Sequence, residues 1–501
     1  MRTVAPAEPR PLRAPARVAA LAALALLPMA CGRGSPAPPA PEPVRYAADG
    51  RPEGTVGTLA RWNVMWVCLD TVRADALLPW ATGAPKMPLT SELLGREAVA
   101  FADATSPAPW TGPAVASMLT GLLPSEHGGR ELSDAFRVVP AVPTVFEVLG
   151  AQGWRSGAFT GGGWVSTENG VLQGIEPDEA HAPFSFAGAA TMLLRSQRLT
   201  RAVRPRLLFL HTFEAHDPYL GPPASPGTAP PPGPTFDLAA IDREAEQDGG
   251  RALARRFLLD AGSRAVVFGG VHGRRRLATV TRWFERGVRS DPAAPALVAE
   301  AKAAYEAGLA RLDRALAAWL SACLTEGLLD DAVLVVTADH GEGFGEHGTM
   351  HHGRRLYDEL LRVPLFVRAP GWPRGKVVRG SCSLLDVLPT LVDLVGLPPM
   401  ADVAGRSLAP LVRGGPGRPV VAEERRTEAE TGLPGDETLV SVRDERRKWI
   451  RTVDHRSGAA TEEAFDLDAD PREERPLPAS TVDGWPAAFR DAVREARARG
   501  R

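Results

Sequence analysis

Residues 332–342 read AVLVVTADHGE. The run 332–337, AVLVVT, carries no charge and has the length and content of a strand buried on both faces. It stops at Ala338-Asp339-His340. A carboxylate and an imidazole side by side at a strand end make a hard-to-borderline pair of metal ligands. The chain then continues GFGEHGTMHHGRRLYDELLRVP, which with His340 holds four histidines, more than a plain surface loop spends.

Two other apolar runs share this design. Residues 61–70, RWNVMWVCLD, end in Asp70; residues 206–212, RLLFLHT, reach His211 and run on into FEAHDPY with His216. Further strands are expected at 153–159 and within 361–369, LRVPLFVRA. Helices are expected to start at 144–150 and to span 300–328 and 383–397. The middle one carries Tyr305, Leu309, Leu312, Leu316, Trp319 and Cys323 at steps of three and four residues. Alternating buried strands and helices predict an α/β sandwich with a mostly parallel central sheet flanked by helices. Ligands of such sheets sit at the carboxyl ends of the strands, where Asp70, His211, His216, Asp339 and His340 converge.

The intervening chain is less regular. Residues 71–104 read as helix-like and loop segments, and 235–299 as a charged insertion of uncertain structure. From 418 onward short strand-like runs alternate with turns and finish in a helix at 485–499, which predicts a small C-terminal antiparallel subdomain. No internal repeat is present. Residues 106–121, SPAPWTGPAVASMLTG, place one hydroxyl, Thr111, at the mouth of a helix; Thr is a frequent N-cap, and a hydroxyl there is equally placed as a nucleophile or metal ligand.

Composition narrows the function. With 44% hydrophobic and 24% charged residues the chain is ordinarily globular, and a formal charge of -2 gives no electrostatic footprint for nucleic acid. Cys31, Cys68, Cys323 and Cys382 form no CxxC pair, which argues against a zinc knuckle or redox dithiol. Arg2, Arg10, Arg13 and Arg17 precede the apolar stretch VAALAALALLPMAC. This resembles an export signal of the bacterial lipoprotein type with Cys31 as the lipidated residue, followed by a Pro-rich tether.

Eight segments in order resemble the sulfatase family of the alkaline phosphatase superfamily: NVMWVCLDTVRAD, SPAPWTGPAVASMLTGLLPSEHG, LFLHTFEAHDPY, VVTADHGEGFGEHG, HHGRRLYDELLRVPLFVRAPG, LLDVLPTLVDLVGLP, GRSLAPLV and FDLDADPREERPL. The resemblance covers 61–477 apart from the insertion. It implies an alkaline-phosphatase-like sandwich with a catalytic domain at 54–415 (insertion about 221–299) and a C-terminal subdomain at 416–501. A signal peptide at 1–31 and a linker at 32–53 would precede them.

The resemblance also implies roles. Asp70, Asp339 and His340 fall at metal-ligand positions, with Thr71 where a second Asp is usual. His216 falls at the histidine that contacts the ester's oxyanion, and His352 where relatives carry a Lys or His that assists the leaving group. Thr111 falls at the nucleophile. The family's CxPSR or SxPSR signature, whose Cys or Ser becomes formylglycine, is replaced here by Thr111-Gly112-Pro113-Ala114-Val115. Thr cannot give that aldehyde, so no formylglycine is expected. What remains resembles superfamily phosphodiesterases and phosphoglycerol transferases, in which a Thr binds the metal and attacks the ester. One divalent ion (Mn, Mg or Ca) is expected on Asp70, Thr111, Asp339 and His340; Glu214, His216 and Asp217 are the residues a second ion would need.

The expectation is an exported, metal-dependent hydrolase of a sulfate or phosphate ester. The alternatives are a phosphoglycerol- or phosphoethanolamine-type transferase, and a catalytically silent relative that binds an anionic ligand. The implied partner is a small-molecule, glycan-linked or lipid-linked anionic ester, with a membrane engaged only through an N-terminal lipid. Trp110 and Trp164 are candidates to stack on a sugar or aromatic group.

Overall fold

The computed structural model describes residues 45–46, 52–53, 62–78, 84–130, 136–181, 185–186, 205–219, 237–260, 270–427 and 435–499. The leader, Cys31 and most of the Pro-rich tether lie outside them.

Eight strands form the central sheet: β1 (Asn63–Leu69), β2 (Val99–Thr105), β3 (Arg155–Phe159), β4 (Ala180–His181), β5 (Arg206–Thr212), β6 (Ala332–Thr337), β7 (Leu365–Arg368) and β8 (Val377–Ser383), in the order β8-β2-β7-β6-β1-β5-β3-β4. Every neighbouring pair is parallel except those made by β7, which runs against both β2 and β6. The expected mostly parallel sheet is therefore present. Its apolar strands β1, β5 and β6 lie side by side at the centre, where helices cover both faces and no solvated face demands alternation.

Register aligns the site. Cys68 pairs with His211 on β5 and with Thr337 on β6. Side chains two residues apart share a face, so Cys68, Asp70, His211, Thr337 and Asp339 rise from one face across three neighbouring strands.

Helix α1 (Pro88–Glu97) is started from outside its own sequence. Asp313 of the long helix accepts hydrogen bonds from the amides of Leu89 (3.1 Å) and Thr90 (2.7 Å), filling the role of a missing N-cap side chain. Helix α2 (Thr111–Thr120) is buried at all ten positions. It stops at Gly121, which takes the left-handed conformation (φ 70°) that a residue with a Cβ resists. Helix α3 (Val145–Gly150) is opened by a Thr144/Glu147 capping box.

The structure corrects the sequence reading in four places. First, β2 and β8 lie in segments read as loop or left unassigned. Second, the insertion is helical where described: α4 (Leu238–Gln247), α5 (Arg251–Leu259) and α6 (Gly270–Arg282), with a wide turn at Trp283–Gly287. Asp237 caps α4 through its side chain. Third, the long helix α7 spans Ala294–Thr325, starting earlier than the apolar spacing indicated. Its opening turns carry Ala294, Leu297 and Ala301 as the buried stripe. Near 383–397 the regular helix is shorter than expected: α8 covers Val387–Leu394 after a single tight turn.

The C-terminal part is a four-stranded antiparallel sheet of β9 (Val420–Thr427), β10 (Asp436–Arg443), β11 (Arg447–Asp454) and β12 (Ala460–Asp466). Helix α9 (Ala487–Arg499) covers one face with Phe489, Val493 and Ala496 on Val440, Val442 and Trp449. The other face packs Leu439, Ile450 and Phe465 on Leu356 and Leu361. Between the units, fully buried Lys448 reaches Asp358 and Glu473, each at 2.8 Å. Glu473 also accepts from the amide of Asp358 (2.6 Å). The subdomain thus clamps the segment that follows His351 and His352. No helix among the described residues is long and apolar enough to cross a membrane.

Candidate active site

Asp70 leaves the end of β1, Thr111 opens α2, and Asp339 and His340 follow β6. The structure brings these four together: Thr111 Oγ1 donates to Asp70 Oδ2 (3.3 Å) and stands 3.2 Å from His340 Nε2. His340 Nε2 lies 3.5 Å from Asp70 Oδ1 and 3.7 Å from Asp339 Oδ2.

The bonds around this set leave its inner atoms bare. Asp339 Oδ1 accepts from the amides of His340 (2.9 Å) and Thr71 (3.4 Å). His340 Nδ1 donates to the carbonyl of Gly341 (2.8 Å), which fixes the tautomer and leaves Nε2 with a free lone pair. Thr71, a β-branched residue, takes φ 60°, and its carbonyl accepts from Tyr305 Oη (2.9 Å). The position where relatives carry a second Asp thus contributes a strained backbone amide that orients Asp339.

Asp70 Oδ1 and Asp339 Oδ2 are fully buried without a hydrogen-bond partner among the described residues. Burial and the charge of Asp339 push Asp70 well above the usual carboxylate range. Burial also acts against ionised Asp339, but the imidazoles of His340 and His211 outweigh it and hold that carboxyl low. Burial keeps His340 below its ordinary value despite Asp339. Two buried carboxylates with bare oxygens and an imidazole aimed between them fit a divalent cation. Asp70, Asp339 and His340 each offer a ligand atom within 4.8 Å of the others.

A second group adjoins this one. His352 packs at a tilt against His340 (ring centroids 4.5 Å) and meets His216 edge-on (5.0 Å). His352 Nδ1 lies 3.1 and 3.2 Å from the two oxygens of Glu342, which also accepts from Tyr219 Oη (2.9 Å). Burial and the neighbouring imidazoles of His351, His340 and His216 hold His352 well below its ordinary value. Burial and the charge of Asp217 hold Glu342 well above its own. Both directions favour a neutral pair with one shared proton. His216 Nδ1 donates to the carbonyl of Asp217 (2.7 Å), and its side chain is the most open of the group at 17% exposure.

Sequence reasoning missed Glu342 and His351. His351 Nε2 donates to Asp217 Oδ1 (3.0 Å), and its ring stacks on Phe284 from the insertion (5.2 Å). The insertion is therefore a wall of this site, and burial there pushes His351 down to about 4. Arg73, left without a role by the sequence, pairs with Glu346 (2.8 Å) and Asp75 (3.2 Å) and donates to the carbonyl of Glu342 (3.0 Å). Glu214 turns away, accepting from Thr212 Oγ1 and the amide of Phe186. His347 is structural, bonded to Glu359 and stacked on Tyr357. Trp110 is 2% exposed and sits edge-on to Phe136 and Trp164, so it supports Thr111 from below and offers no face to a sugar. Trp164 is partly exposed.

The sulfatase family profile matches residues 62–397, and the C-terminal profile of N-sulphoglucosamine sulphohydrolase matches 345–481. The chain belongs to the sulfatase family of the alkaline phosphatase superfamily. It is 31% identical over 224 residues to the choline-sulfatase of Rhizobium meliloti, covering 40% of this chain and 41% of that protein. It is 33% identical over 154 residues to the Delta 4,5-hexuronate-2-O-sulfatase of Bacteroides thetaiotaomicron, covering 29% and 30%. The matched region thus spans less than half the length of these curated relatives. Among solved structures, the phosphonate monoester hydrolase of Agrobacterium radiobacter superposes with a TM-score of 0.61 at 19% identity, covering 88% of this chain and 96% of that one. A 2-O GAG sulfatase superposes with a TM-score of 0.59 at 20% identity, covering 87% and 90%. At these identities the structures share the fold.

Proposed function

We propose that this chain is a metal-dependent hydrolase of a sulfuric or phosphoric ester with Thr111 as nucleophile. The observation that carries this is the hydroxyl itself: Thr111 Oγ1 opens a helix and sits within 3.3 Å of both the Asp70 carboxylate and the His340 imidazole. Asp70, Thr111, Asp339 and His340 would hold one divalent ion, Mn²⁺, Mg²⁺ or Ca²⁺. Such an ion, when bound, lowers the pKa of a hydroxyl and offsets the charge of an anionic ester.

The chain's own residues supply the rest. Thr111, its hydroxyl proton released to solvent, attacks in line as the alkoxide and takes the phosphoryl or sulfuryl group from the leaving oxygen. The amides of the first turn of α2 favour the negative charge that gathers there. His216, with a proton on each ring nitrogen, donates from Nε2 to the equatorial oxygens while Nδ1 stays on Asp217. His352, held at Nδ1 by Glu342, delivers a proton from Nε2 to the departing oxygen, and the Glu342 proton refills Nδ1. Water then releases Thr111 by attack on the same centre, returning one proton to the pair.

Two features support opposite ester classes. The choline-sulfatase and hexuronate-2-O-sulfatase relatives support a sulfuric ester. The TGPAV segment supports a phosphoric ester, because a sulfo-threonine lacks the second hydroxyl through which an aldehyde hydrate expels sulfate. We favour phosphate. The substrate is a small-molecule, glycan-linked or lipid-linked ester. The basic, apolar N-terminus supports export, with Cys31 as lipid acceptor, and the composition changes support a catalytic domain at 54–415 and a C-terminal subdomain at 416–501.

The test is turnover of aryl sulfate, phosphate monoester and phosphodiester substrates by the full chain, ion-free and with Mn²⁺, Mg²⁺ or Ca²⁺, beside Thr111→Ala. Ion-dependent turnover that disappears in a folded Thr111→Ala variant is expected. Turnover that survives the substitution would overturn the assignment.

A further inference from the structure

His351 precedes His352 on the loop after β6 and takes no part in the steps above, yet two features oppose its placement. Its backbone adopts φ 70°, in the left-handed region that a residue with a Cβ resists. Its Nδ1 is buried without a hydrogen-bond partner among the described residues. Such strain persists only where the surroundings over-determine it, and it gathers at functional sites. Here the backbone is pinned on both sides. The His351 amide donates to the carbonyl of Gly343 (3.0 Å), and the Met350 amide donates to the carbonyl of Phe284 (3.0 Å).

The ring makes two sets of contacts, one toward each histidine that meets the ester. It stacks on His352 (ring centroids 3.8 Å, 25° between planes) and on Phe284 (5.2 Å, 11°), and Phe257 meets it edge-on (5.5 Å). Phe284 and Phe257 belong to the insertion. Its Nε2 donates to Asp217 Oδ1 (3.0 Å), and that same oxygen lies 3.0 Å from His216 Nδ1. The bond from His352 Nδ1 to Glu342 fixes one point of the His352 ring. Proton delivery needs an aim held within roughly 10–20°, and one hydrogen bond does not set the plane of a ring. The face of His351 does.

We propose that His351 is the positioning residue for both histidines: its ring fixes the plane of His352, and so the direction of the proton delivered from Nε2, while its N–H fixes Asp217 against His216. The insertion enters the reaction through this residue, by holding its ring with Phe284 and Phe257. The proposal rests on the roles given above to His352 and His216 and adds the group that aims them.

The experiment uses the full chain with saturating Mn²⁺. It measures kcat and KM on an alkyl and an aryl ester of the same acid for the parent, His351→Ala, His351→Phe, His352→Gln and the double variant His351→Ala/His352→Gln. His351→Ala removes both contacts, so kcat should fall by about 10²-fold or more on the alkyl ester and by less on the aryl ester. His351→Phe keeps a ring on His352 and loses the bond to Asp217, so it should fall by one factor on both esters. In the His352→Gln background, His351→Ala should cost the two esters equally, because a residue that acts through another is not additive with it. Mn²⁺ affinity should match the parent in His351→Ala, since His351 is absent from the Asp70, Asp339 and His340 set. Parental turnover by His351→Ala on both esters, or an alkyl-selective loss that adds in full to His352→Gln, would overturn the proposal and leave the acid role of His352 standing. A His352→Gln variant that falls alike on both esters would overturn that role and the proposal with it. An alkyl-selective loss in His351→Phe would overturn the stacking role, and that comparison does not depend on the alanine variant folding.

Discussion

Replacing Asp70 by Asn should raise the stability of the ion-free protein and abolish its response to ions, because burial and the charge of Asp339 disfavour ionised Asp70. In the parent, Asp70 and Asp339 are both fully buried, and each has an oxygen that no described group bonds. Without an ion these two carboxylates disfavour each other's charge. The amide removes one charge; its oxygen still accepts from Thr111 Oγ1, and its nitrogen takes the bare position. With an ion the order reverses. A ligand at about 1,000 times its Kd stabilises the folded state by about 4 kcal/mol. Unfolding entropy of about 2.1 cal/mol/K per residue over 501 residues is about 1 kcal/mol/K. The parent should therefore gain roughly 4 °C in Tm with saturating Mn²⁺ over chelator. Differential scanning calorimetry with chelator and with Mn²⁺ reads both effects. A parent indifferent to Mn²⁺, or an Asn variant that keeps the full shift and melts lower than the parent in chelator, would refute the reasoning.

Three further outcomes follow from the geometry. His352→Gln should lower kcat by about 10²- to 10⁴-fold on esters of poor leaving groups and much less on aryl esters, which depart without a proton; equal losses on both would remove His352 from the acid role. Lys448→Met leaves Glu473 and Asp358 buried beside an apolar chain and should cost about 3–5 kcal/mol in urea denaturation, with part of the loss recovered by adding Glu473→Leu. Glu473 supplies a pH dependence: burial pushes it up to about 7 from an ordinary 4.5, against the pull of Lys448. Between those values the folded chain keeps a proton that the unfolded chain has released. This group therefore lowers stability as pH rises through that window, by about 3 kcal/mol in all. Denaturation of parent and Glu473→Gln from pH 4 to 8 should show the steeper fall in the parent, and identical slopes would contradict the assignment.

The centre of the fold was legible because β1, β5 and β6 are covered on both faces and so read as uninterrupted apolar runs. The three strand ends announced their chemistry in Asp70, His211 and the Asp339-His340 pair. Strand β2, VAFADAT, was missed because its small residues carry neither a long apolar run nor clean alternation. Strand β8, VVRGSCS, contains Gly380 and a register shift between Val378 and Ser381 that break the pattern. The helices of the insertion did leave signals: Asp237 as cap, then Leu238, Ile241 and Ala245 at helical spacing. The Pro-rich stretch before them drew the reading toward loop. Glu342 and His351 were invisible as site residues because what marks them is spatial: Tyr219 and His352 around one, Asp217 and Phe284 around the other. Asp70, Thr111, Asp339 and His340 were readable from motif order, whereas the groups that orient them come from distant strands and loops.

The most direct test of Thr111 as nucleophile is to trap its ester. The full chain, with Mn²⁺ and a turning-over phosphodiester or aryl sulfate, is quenched in acid, digested and examined by tandem mass spectrometry across residues 106–121. A phosphoryl or sulfuryl group on Thr111, absent in the ion-free control, is the result this mechanism predicts. Turnover with Thr111 unmodified and the group on another side chain, or an ¹⁸O label from water appearing in the product with inversion at a chiral phosphorus, would contradict it.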